Sequence, residues 1–175
     1  MTRVQLPLGL TNAIAAMGEA DFVVSDNNRE AFAWVAEQWP NWPAHGLVLR
    51  GPRGSGKSHL AKIWAHRANA EFLDAPTLSG GARLVLENVE RFFGDAEAEE
   101  MLFHLLNQLA AHKGHILLTA EAAPVLWPVK LPDLRSRLLA LPVASIEAPD
   151  DEALTAVISN LFSDRQLRVP AEVID

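Results

Sequence analysis

Apolar residues along this chain recur in two ways, as short unbroken runs and as stripes of helical spacing, and the two alternate. The runs at 45–50, 71–73, 83–88, 115–119 and 141–146 read as five strands, the central ones buried on both faces as in a parallel sheet. Ala31, Phe32, Val35 and Trp39 share one face of a helix predicted over 29–38. Ser25, Asp26, Asn27 and Asn28 precede that helix as a cap, and Pro40 stops it. A second helix starts near Lys57 and carries 59–66. The clearest amphipathic helix spans 97–113. Its inner face holds Met101, Leu102, Leu105, Leu106 and Leu109, acids open it in keeping with the helix dipole, and Gly114 closes it.

Pro124, Pro128 and Pro132 make 122–132 a loop, after which a short helix capped by Asp133 carries Arg135 and Arg137. A last helix is expected over 150–162, and 169–175 reads as the beginning of another. Strands separated by helices predict an α/β fold with a mainly parallel sheet. The link at 74–81 is short for a parallel crossover, which usually takes about ten or more residues. Either this crossover is pared down or the strands it joins are not neighbours.

Between the first strand and its helix, Gly51, Pro52, Arg53, Gly54, Ser55, Gly56, Lys57 and Ser58 satisfy the pattern G-x-x-x-x-G-K-[ST] at every fixed position. Three glycines let the backbone turn its N–H groups inward around an anion, the following helix adds the positive end of its dipole, and Lys57 reaches outer phosphates. Ser58 is the candidate Mg²⁺ ligand, and His59 follows at the helix start as a further candidate nucleotide contact. A strand before the motif and a helix after it are the context that a phosphate-binding loop requires.

Composition narrows the class. The 175 residues, 49% hydrophobic and 21% charged, predict one ordinary globular domain. No apolar run approaches the roughly 18 residues of a membrane span, and the first residues lack the apolar stretch of a signal peptide, so the expected location is the cytoplasm. With no cysteine there are no disulfides or thiolate metal sites. A net charge of −7 argues against non-specific nucleic-acid binding as the main task, although Arg50, Arg53 and Lys57 gather basic charge at the phosphate loop.

Two further strand ends carry candidate chemistry. The strand at 83–88 ends on Glu87, where phosphate-loop proteins place a carboxylate, usually Asp, on the second side of the Mg²⁺ site. Glu87 is one methylene longer, and a merely charged strand end is the alternative. Asn88 cannot act as a general base, because an amide takes no proton near neutrality. Thr119, at the end of the strand at 115–119, is placed to contact a γ-phosphate or an attacking water, or is simply a strand terminus.

The phosphate loop, the strand ending in acid, the strand ending in Thr and the run Leu131-Pro132-Asp133-Leu134-x-Ser136-Arg137-Leu138 stand in one order that resembles the DnaA/Hda-like family of bacterial AAA+ proteins, its shorter Hda branch most of all. The resemblance covers nearly the whole chain. It implies an αβα sandwich with a five-stranded, mainly parallel sheet over 21–165, and the start of a truncated or missing helical lid at 166–175. By the same resemblance Phe22, Val23 and Val24 pack against adenine, 51–58 is Walker A, 84–88 is Walker B, Thr119 is sensor 1 and Arg137 is an arginine finger offered to a neighbour's nucleotide. The resemblance also implies that residues 1–20 are a linker with a Gln-Leu-x-Leu peptide, Gln5-Leu6-Pro7-Leu8, extended by Leu10, that docks on the sliding clamp of DNA polymerase. The implied cofactors are ADP or ATP with Mg²⁺.

The resemblance thus implies a regulator that promotes hydrolysis of DnaA-bound ATP, with DnaA and the clamp as partners and homo-oligomerisation left open. Glu87 in place of the family's Asp implies weak or no intrinsic ATPase activity. Two alternatives belong to other classes: an autonomous NTPase or helicase loader, which needs hydrolysis in cis, and a small-molecule kinase, for which no acceptor-binding group stands out.

Overall fold

Five strands, β1 (Gly46–Arg50), β2 (Glu71–Leu73), β3 (Arg83–Leu86), β4 (His115–Ala120) and β5 (Val143–Ser145), lie side by side in the order β2-β3-β4-β1-β5. Every adjacent pair runs parallel. This computed structural model describes residues 22–78 and 80–148. The clamp-docking peptide Gln5, Leu6, Pro7, Leu8 and Leu10, the helix expected over 150–162 and the lid expected from 166 all lie outside the described residues.

Successive strand residues point to opposite faces, and both faces are covered, which is why the central strands are apolar throughout. On one side Val48, Leu84, Leu86, Ile116, Leu118 and Ala120 meet the leucines of α3 (Ala96–Ala111) and of α4 (Pro132–Leu139). On the other, Leu47, Leu49, Val85, Leu117 and Ala144 meet α2 (Lys57–Ala68) and α1 (Arg29–Ala33), together with Trp42 and Trp64. The result is the expected αβα sandwich. Each large core side chain contributes roughly 1.5–3 kcal/mol through burial.

Several local expectations change. The helix predicted over 29–38 is α only to Ala33 and continues as a π turn over Trp34–Gln38. Asn28 does not cap it: its Oδ1 accepts the Ser25 N–H at 3.0 Å and its Nδ2 donates to the Val23 carbonyl at 2.9 Å, so the amide folds back on the preceding segment. Asp133 does not cap α4 either. Leu131 is the capping residue, without a side-chain bond, and Pro132 opens the helix, where its missing N–H costs nothing. In α3 the first turn is capped by Asp95, whose carboxylate accepts from Glu97 and Ala98. Met101 is only half-buried, and Phe103 packs against the core instead.

The short link is a pared-down crossover. β2 and β3 pair directly, Phe72 opposite Val85, and the link has no helix or strand among its described residues. With no helix above it, Phe72 on the three-residue edge strand remains exposed.

Candidate nucleotide site

Residues 51–59, Glu87 and Thr119 gather at, or just beyond, the carboxyl ends of β1, β3 and β4, where open parallel sheets bind ligands, and Phe22 reaches the same place through His59. The phosphate loop begins wedged between two strands: the Gly51 N–H donates to the Ala120 carbonyl at 3.1 Å, and the Arg50 carbonyl accepts from Ile146 at 2.8 Å. A Cβ on Gly51 would fall 2.1 Å from the Ile146 carbonyl oxygen, so only glycine fits there. Gly56, at φ 100°, turns the chain into α2, whose first residue is Lys57. The Ser55 hydroxyl is buried with no hydrogen-bond partner, a donor that a phosphate oxygen would satisfy.

Lys57 is buried, and its Nζ donates to the carbonyls of Gly51 and Pro52 at 2.7 and 2.8 Å. Burial pulls its pKa below the usual lysine value, against the opposing pull of Glu121, Glu90 and Glu87, and Arg53 adds to the lowering. Of the other basic residues, Arg53 lies 3.7 Å from Glu121, whereas Arg50 turns to the Ser145 hydroxyl at 2.8 Å.

The acid expected beside Ser58 is there. Glu87 follows β3 directly, and its Oε1 accepts the Ser58 hydroxyl at 2.5 Å. Among the described residues no group of three or more His, Asp or Glu could hold a metal alone. Ser58 and Glu87 fit Mg²⁺ in the manner usual for that ion, one or two protein oxygens with phosphates and water completing the shell. Asn88 next to it has φ 52°, a left-handed conformation that Asn tolerates, and donates its N–H to Thr119 Oγ1 at 2.9 Å. Thr119 is almost fully buried, and this bond ties it to the turn after β3.

Phe22 lies half-buried beside Gly56 of the loop, and Val23, half-buried, and Val24, more exposed, follow it in the chain. Phe22 stacks on Phe32 at 5.8 Å and meets the His59 ring edge-on at 5.1 Å. The Asn27 carbonyl accepts from Glu147 at 3.0 Å and its amide donates to Ala148 at 3.0 Å, which staples this segment to the end of the sheet.

Arg137 is not part of this cluster. It is exposed on α4, with its guanidinium 5.5 Å from the centre of the Phe103 ring on α3. What fixes α4 is Glu99, which in sequence is one of the acids in the first turn of α3. It is buried, and its carboxylate accepts N–H bonds from Gly94 at 2.8 Å, Lys130 at 3.0 Å and Leu131 at 2.8 Å, the last two at the entrance to α4. Burial pushes its pKa up, but those N–H donors and the Lys130 charge outweigh it and hold the carboxyl below the usual range. Glu99→Ala strands three backbone donors, an expected loss of about 3 kcal/mol, or roughly 10 °C in Tm. A depressed folded-state pKa gives stability that is present above the unfolded carboxylate value and lost as pH falls through the folded one. Thermal melts should therefore show the gap between wild type and Glu99→Ala narrowing in acid.

No protein-family model matches the chain. The chromosomal replication initiator protein DnaA of Bacteroides fragilis is 26% identical over 168 residues, spanning 81% of this chain and 35% of that protein. DnaA of Synechocystis sp. is 27% identical over 209 residues, spanning 97% of this chain and 46% of that protein. The chain thus spans less than half the length of these curated relatives. Domain III of Thermotoga maritima DnaA superposes with a TM-score of 0.77 at 19% identity, covering 90% of this chain and 78% of that one. The AMPPCP-bound DnaA of Aquifex aeolicus superposes at 0.74 with 22% identity, covering 88% and 57%. At such identities the structural likeness speaks for the fold, and the sequence likeness for kinship. In sequence along most of its length, and in the order and parallel pairing of its sheet, the chain is similar to DnaA-type AAA+ proteins.

Proposed function

We propose that this chain is an Hda-like regulator of replication initiation: an AAA+ module that holds ADP or ATP with Mg²⁺, docks on the sliding clamp and presents Arg137 to ATP bound by DnaA. The observation that carries this reading is the separation of its two functional ends. Lys57, Ser58, Glu87 and Thr119 gather at the phosphate loop, while the Ser136-Arg137 pair lies exposed on α4, braced by Phe103 and Glu99. An exposed arginine at that place suits an action on a neighbour's nucleotide, where a fixed, planar charge stabilises phosphoryl transfer.

In the chain's own site, the loop backbone, the Ser55 hydroxyl and Lys57 would hold phosphates, Ser58 and Glu87 would hold Mg²⁺, and Phe22 to Val24 would line the base. Bound Mg²⁺ would supply charge neutralisation between phosphate oxygens. Asn88 offers no base, and Glu90, the next acid, spends its carboxylate on the N–H groups of Glu121 and Ala122 at 2.8 and 2.7 Å. The nucleotide is therefore read as mainly structural.

The contact between Ser58 and Glu87 favours a second reading, an autonomous NTPase or helicase-loader-type protein, because it places Glu87 where a working Mg²⁺ site needs it. Clamp binding separates the two. Wild-type chain should bind the purified clamp with micromolar or tighter affinity in calorimetry, and the double substitution Gln5→Ala/Leu8→Ala should remove that binding. Absence of clamp binding alongside nucleotide turnover would favour the second reading.

A further inference from the structure

Glu121 is the acid nearest the basic end of the phosphate loop that no role above absorbs. Its carboxylate lies 3.7 Å from the Arg53 guanidinium, and it sits one residue beyond Ala120, whose carbonyl receives the Gly51 N–H. It is also held in place: Glu90 accepts the N–H of Glu121 and of Ala122, which fixes the exit of β4 beside the loop. We propose that Glu121 is an internal counter-anion of the phosphate loop, a specificity-determining residue that pairs with Arg53 and competes with incoming phosphates for it. This rests on reading the loop as a nucleotide site.

The charge relations support the geometry. Among the acids that act on Lys57, Glu121 acts most strongly, so its field reaches both cations that phosphates would use. A negative charge there opposes a ligand in proportion to the ligand's own charge, so it weighs more on a triphosphate than on a diphosphate. Both Arg53 and Glu121 are well exposed, so solvent and salt screen the pair and the effect is modest.

The test is fluorescence titration of the full chain, wild type and Glu121→Gln, with mant-ADP and mant-ATP at low and high KCl. Glu121→Gln is expected to bind both more tightly, by about two- to fivefold at low salt, more for mant-ATP than for mant-ADP, with the gain shrinking at high salt. Unchanged or weaker binding by the variant, or a gain indifferent to ligand charge and salt, would overturn the inference and leave the nucleotide reading intact. Failure of wild type and variant alike to bind either probe would overturn both.

Discussion

Arg137→Ala is expected to return hydrolysis of DnaA-bound ATP to its unstimulated rate while leaving the chain's own nucleotide affinity unchanged. The exposed guanidinium lies 5.5 Å over the Phe103 ring and α4 is locked by the buried Glu99, so the substitution removes a charge and one ring contact while leaving the buried core intact. An arginine finger is worth on the order of a thousandfold in rate when fully engaged, and the measurable drop is bounded by the basal rate of the partner. Arg137→Lys should not restore stimulation, because an ammonium keeps the charge but not the planar fork. Single-turnover assays of DnaA–ATP with the clamp present read both variants. Arg135, also exposed on α4, serves as the control, and its alanine variant should retain stimulation.

The second large effect belongs to Lys57. Lys57→Ala removes a buried ammonium and, in the proposed site, the charge-assisted bonds it would make to phosphate oxygens, an expected loss of about 3 kcal/mol or roughly a hundredfold in nucleotide affinity by calorimetry. The fold should survive. The ammonium is held at a desolvation cost, as its lowered pKa records, and its two acceptors, the carbonyls of Gly51 and Pro52, belong to the loop rather than to the sheet. A retained thermal transition with lost affinity assigns the effect to the site. Affinity within a few-fold of wild type would remove Lys57 from it.

The parts of this molecule legible in its sequence are those set by local pattern. Apolar runs mark β1, β3 and β4 because central parallel strands are buried on both faces, and the phosphate loop is legible because its whole motif lies in eight consecutive residues, although what demands glycine at Gly51, the Ile146 carbonyl, comes from just past β5, far along the chain. Side chains that choose among several partners, near or distant, are not legible in this way. Asn28 reads as a helix cap, yet its amide serves Val23 and Ser25. Asp133 reads as a cap as well, but Pro132 begins the helix and Glu99, from another helix, secures its entrance. Glu99 did leave a signal: it stands three residues before Leu102 and seven before Leu106, on the apolar stripe of α3, where an acid is buried. The bonds from Glu90 to Glu121 and Ala122 and the pairing of Arg53 with Glu121 cross between elements far apart in sequence, and no spacing rule announces them. From the sequence, Asn88 is excluded as a base and falls within the segment that resembles Walker B. Its left-handed backbone, which sends its N–H to Thr119, gives a physical reason for Asn at that position.

The measurement that tests the account most directly is the rate at which DnaA–ATP becomes DnaA–ADP, followed in a single turnover with the sliding clamp and this chain in its nucleotide-bound form. The proposed function predicts that the chain accelerates the conversion and that the acceleration disappears with Arg137→Ala. A chain that binds nucleotide and clamp yet leaves the rate of DnaA–ATP hydrolysis unchanged would contradict it.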